Sequence, residues 1–199
     1  KFYNHNTKCV TGGKRGADYA VNYASAIIDG MTQHTTIIPR YPRKPAWMEG
    51  QELLDVHCMG TLVKGVGAFM DFQFKNFKND ANALLHTVHL TVLRIQESRQ
   101  QAGQRMPGVF FIQLDNVGTN KNHHLIAYCS WLVKTGVFMK VKIGFLIAGH
   151  THENIDQMFS RFSIRLRRKE CFTLPELIKV AEECFTPVPK CFTTTEIPD

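Results

Sequence analysis

Along the chain, apolar and polar positions alternate between two periods, one suited to strands and one to helices. Residues 22–29 form a small-then-apolar run that closes on Asp29, which predicts a buried strand. Residues 35–38 are β-branched and stop at Pro39, which predicts a second short strand, and the Pro- and Arg-rich stretch 39–50 predicts a loop. Residues 51–64 and 68–74 read as two more strands joined through Gly65 and Gly67, an antiparallel set. Asn79 or Asp80 then caps a helix whose Leu84, Leu85, Val88, Val92, Leu93 and Ile95 recur at helical spacing, with Gly103 and Pro107 as breakers.

The second half repeats strand and helix in turn. Residues 108–115 make a buried strand ending in Asp115, 120–135 a helix stopped by Gly136, and 138–148 another buried strand. A helix follows over about 151–168. Thr173 caps a last helix with Pro175 in its first turn and Leu177, Ile178 and Ala181 on its buried face. This order predicts a mixed α/β fold. Residues 1–20 are polar and read as a lead-in or the end of an upstream region, with one domain over 21–199. The start at Lys1 suggests a fragment or an excised domain, and no secretory signal or membrane-length apolar run is visible.

Sites in open α/β sheets gather where strands end and helices begin. Asp29 and Asp115 each close an apolar run, where a bare carboxylate is costly unless it is paired, hydrogen-bonded or metal-bound. Each alone also fits a turn, and the pair makes a shared site the better reading. On a helical wheel Ile155, Met158, Phe159, Phe162 and Leu166 share one face. His152 and Asp156, four residues apart, border that face with Ser163, whereas Glu153 points outward. Asp156 is thus preferred as a third acid, with Glu153 as the alternative. His150 and His152 are candidate ligands or proton shuttles, while His123 and His124 read as helix surface and core residues. Three neighbouring carboxylates repel one another and want cations, and an all-oxygen set suits a two-ion Mg²⁺ or Mn²⁺ site for phosphodiester displacement.

Charge strengthens this picture. The net charge is +7 and the pI about 9.2. Basic residues crowd at Arg161, Arg165, Arg167, Arg168 and Lys169, a candidate nucleic-acid-binding set, and again at Arg40, Arg43 and Lys44. The six cysteines include no Cys-x-x-Cys pair; Cys58 and Cys129 read as core residues, which suits a reducing compartment, and a His5–Cys9 zinc site is weak.

Three segments carry a resemblance. They are 27–33 (Ile-Ile-Asp-Gly-Met-Thr-Gln), 113–116 (Gln-Leu-Asp-Asn) with 120–122 (Asn-Lys-Asn), and 145–160 (Phe-Leu-Ile-Ala-Gly-His-Thr-His-Glu-Asn-Ile-Asp-Gln-Met-Phe-Ser). Together they resemble transposon-derived domains that look like three-acid transposases and integrases of the RNase H-like type. That resemblance implies an RNase H-like mixed sheet flanked by helices, with the first and fourth strands side by side. It implies Asp29, Asp115 and Asp156 as catalytic metal ligands, although such enzymes often carry glutamate third, which keeps Glu153 in play. Asn116, Asn120 and Asn122 would support the acids or contact DNA, or else serve as turn and cap residues. The implied activity is DNA cleavage and strand transfer in the nucleus, with DNA as partner, self-association as a dimer or larger assembly, and neither a membrane nor a small organic cofactor. A domesticated copy would keep the fold and bind nucleic acid or protein without catalysis. Gly149-His150-Thr151-His152 also resembles binuclear metallophosphoesterases, but the other motifs of those enzymes are missing.

Overall fold

The computed structural model describes residues 22–74, 80–145, 154–185 and 187–194. Six strands form one mixed sheet: β1 (Tyr23–Gly30), β2 (Val56–Val63), β3 (Gly67–Phe74), β4 (Val109–Leu114), β5 (Lys140–Phe145) and β6 (Lys190–Thr194), in the order β5-β4-β1-β2-β3-β6. The first three strands run antiparallel to their neighbours in sequence, while β4 pairs parallel with β1, β5 with β4, and β6 with β3. Strands one and four therefore lie side by side, as expected of an RNase H-like sheet.

Helices cover both faces, so the fold is α/β with a mixed sheet flanked by helices. On one face lie α1 (Ala81–Gln101) and α2 (His123–Lys134), packed on Ala24, Ala26, Ile28, Phe110 and Ile112. On the other lie α3 (Asn154–Leu166) and α4 (Leu174–Glu182), packed on Ile27, Val56, Cys58, Met70 and Phe72. The period-2 alternation of β1 explains this split, since Ala26 and Ile28 serve one core and Ile27 the other. Asp80 caps α1 by accepting from the Asn82 and Ala83 amides at 2.9 and 3.4 Å. Thr173 and Glu176 close a capping box on α4. Among the described residues no helix is long and apolar enough to cross a membrane.

Five expectations change. Residues 35–38 do not form a strand; a short 3-10 turn spans Gln33–Thr35, and Ile38 makes only an isolated bridge to Leu54. The strand expected from residue 51 begins at Val56. β5 is not a buried strand but a half-buried sheet edge, whose Lys140 and Lys142 suit an unpaired edge. β6 was not expected: a five-residue segment following Pro187 and Pro189 carries too few alternations to read as a strand, and its pairing with β3 supplies the order. The helix expected from residue 120 starts at His123, after a 3-10 turn over Gly118–Asn120. The expected start of α3 at residue 151 lies outside the described residues.

Candidate metal centre

Two of the acids are brought together by strand pairing alone. Ile28 of β1 registers with Leu114 of β4, and both face the α1–α2 core. The next residue along each strand is an aspartate, so Asp29 and Asp115 stand at adjacent strand ends, roughly 5 Å apart at the backbone by ordinary strand spacing. In β1 the alternation turns Asp29 toward the α3 face. Both are half-buried and line a cleft of about 170 Å³ shared with Met59, Leu84, Thr119 and Asn120.

The segment after β4 holds Asp115 in place. The Asn116 amide donates to Asp115 Oδ1 at 2.6 Å, and Asn120 Nδ2 donates to the Asp115 carbonyl at 3.1 Å. Asn122 caps α2 by accepting from the Leu125 amide at 2.8 Å, while its Nδ2 donates to the Thr119 carbonyl at 2.7 Å. The three asparagines thus build a strand-to-helix turn. Asn120 also reaches the cleft, whereas Asn122 serves as a cap.

Asp156 arrives on α3. The buried residues of that helix are Ile155, Met158, Phe159, Phe162 and Leu166, the face given by the helical wheel, and Asp156 and Ser163 are half-buried at its margin. Gly60 lets α3 approach. It is the cross-strand partner of Asp29, and a Cβ there would lie 2.7 Å from the Phe159 ring and 2.8 Å from Met158 Cε. Sequence reasoning passed over Gly60, although an interior strand glycine is itself a sign of close approach.

Electrostatics ties the acids together. Burial pushes the Asp29 carboxyl up from 3.8 to about 6; the Gly30 amide, donating at 2.8 Å, opposes this, and the charges of Asp115 and Asp156 push it further up. Asp29 has no cationic partner among the described residues. Its surroundings disfavour its charge, so a cation brought there has a carboxylate to neutralise.

The donor type suits Mg²⁺ or Mn²⁺, because Asp29 and Asp115 offer carboxylate oxygens to the cleft. Among the described residues, however, no group of three His, Cys, Asp or Glu side chains stands close enough as placed to hold an ion. Glu153, His150 and His152 lie outside the described residues, as do His5 and Cys9. His123 and His124 are both exposed on α2, so the expectation that one is a core residue does not hold. Arg161, Arg167 and Arg168 are exposed, while Arg165 and Lys169 lie 3.3 and 3.7 Å from Glu183, which partly neutralises them.

No curated protein matches the chain. Residues 46–199 match the family model described as "Domain of unknown function (DUF7869)", a span that includes Asp115 and Asp156 and begins after Asp29. The match covers most of the chain, which therefore belongs to the DUF7869 family.

Proposed function

We propose that this chain is a transposase-like domain that cleaves and joins DNA phosphodiesters with divalent metal at Asp29, Asp115 and Asp156. The observation that carries the reading is the strand pairing that sets Asp29 and Asp115 at adjacent strand ends, with Asp156 on α3 near enough for its charge to act on Asp29. Bound Mg²⁺ or Mn²⁺ would polarise the phosphate and stabilise the attacking and leaving oxygens. The chain's own residues do the rest. Asp29 and Asp115 present carboxylates from a rigid sheet, Asn120 fixes the backbone of Asp115, and Gly60 sets the depth of α3 and thereby of Asp156.

The test is a nicking and strand-transfer assay on DNA with Mn²⁺, comparing wild type with Asp29→Ala, Asp115→Ala and Asp156→Ala. Each variant is expected to lose activity by orders of magnitude. Activity close to that of wild type in any of the three would sink the assignment. A second reading, a non-catalytic nucleic-acid- or protein-binding module, draws support from the loose spacing of the acids among the described residues. Wild-type protein that binds DNA but never cuts it would favour that reading.

A further inference from the structure

The two basic clusters, far apart in sequence, meet in space. Arg40 and Cys171 exchange backbone hydrogen bonds at 2.7 and 3.0 Å, which fastens the 39–48 loop to the α3–α4 connection. The Arg40 side chain reinforces the join, donating to the Thr35 carbonyl at 2.9 Å and the Leu166 carbonyl at 3.3 Å. The join brings the segment that carries Arg43 and Lys44 to the segment that carries Arg167 and Arg168. All four are exposed, and none has a carboxylate partner among the described residues.

Aromatic rings lie within the same surface. Tyr41 meets Trp47 edge-on at 5.9 Å and Phe172 edge-on at 5.2 Å. Trp47 is 62% exposed and Phe172 44%, so ring surface remains open between the cations. Buried Met48 anchors the 3-10 turn that presents Trp47. A concavity of about 200 Å³ opens alongside, bounded by Arg40, Tyr41, Lys44 and His34.

We propose that this joined basic and aromatic surface binds single-stranded nucleic acid, with Trp47 as a base-stacking platform and Arg43, Lys44, Arg167 and Arg168 along the phosphates. The proposal rests on the nucleic-acid reading above and gives that reading a strand-holding surface. Stacking on an exposed ring requires an unpaired base face, which a duplex does not offer. The surface lies at the far end of α3 from Asp156, about 15 Å along the helix axis from Asp156 to Leu166.

The experiment is fluorescence anisotropy of the 199-residue chain with a labelled oligothymidine, a duplex of the same length and polyglutamate. It is run in EDTA so that binding is read apart from metal-dependent cleavage. The expected order is single strand tighter than duplex. Trp47→Ala should weaken single-strand binding about tenfold. Arg167→Ala with Arg168→Ala should lower the slope of log K against log salt by about 0.7 for each charge removed. Arg40 is left intact because it holds the loop. Duplex binding as tight as single-strand binding, unchanged affinity in Trp47→Ala, or equal binding of polyglutamate would each overturn the proposal. Oligothymidine binding that persists in Asp115→Asn supports the surface, whether or not wild type cleaves DNA.

Discussion

Two aspartates of the same sheet show opposite ways of living with a buried charge. Asp71 on β3 is fully buried and is gripped by both terminal nitrogens of Arg94, one of them at 3.0 Å. That guanidinium also lies against the Phe69 and Phe192 rings, 4.4 and 4.6 Å from their centroids. The charge is closed off by its own chain. Asp29 on β1 has one backbone amide and two acids for neighbours, and its carboxyl is raised to about 6. A carboxylate locked to arginine fastens strand to helix, while one left among like charges has its charge disfavoured and, on the proposed reading, is where a cation from outside would act.

Breaking the closed pair should have the largest effect. Arg94→Met strands the Asp71 charge and should cost about 3–5 kcal/mol, read as a lower urea midpoint. Adding Asp71→Leu removes the stranded charge and should recover most of that loss. If the single variant matched wild type, the contrast between the two aspartates would collapse.

Gly60→Ala comes next. Its Cβ would strike Phe159 and Met158, so α3 must shift, and the loss should be about 1–3 kcal/mol. The same shift should weaken any effect of divalent metal on melting, which a substitution remote from Asp156 would not do.

Asp29→Asn should act with the opposite sign and raise stability. The folded-state carboxyl at about 6 keeps its proton longer than an unfolded one at 3.8. Its stabilising contribution is therefore full below pH 3.8, is lost as pH rises through 6, and stays lost above that. Allowing for partial exposure, the neutral amide should gain about 1–2 kcal/mol at pH 7.5 and nothing at pH 3.5. A gain that did not vary with pH would point to packing instead of charge. Asn120→Ala should be the mildest, about 1 kcal/mol from one lost hydrogen bond, with reduced cleavage because the Asp115 backbone is less firmly held.

What could be read from the sequence follows from where the information sits. Strand-end acids after apolar runs were legible at Asp29 and Asp115, because burial writes itself as hydrophobicity. The face of α3 was legible from 3.6-residue spacing, and the half-buried position of Asp156 follows from it. Pairing was not legible. The edge position of β5, the addition of β6 to β3 and the cross-strand meeting of Gly60 with Asp29 all depend on contacts between distant segments. The same holds for the joining of Arg40 to Cys171, which turns two basic stretches into one surface, and for Glu183, which neutralises part of the expected cluster.

The central claim is that the charge on Asp29 awaits a divalent cation, and thermal melting at pH 7.5 with and without millimolar Mn²⁺ tests it most directly. Wild type should be stabilised by about 1.4 kcal/mol when free Mn²⁺ reaches ten times its Kd. Asp29→Asn should melt higher than wild type without metal and respond little to it, and Asp115→Asn should lose the response as well. A wild-type melting temperature unmoved by millimolar Mn²⁺, or an equal rise in all three proteins, would contradict the account.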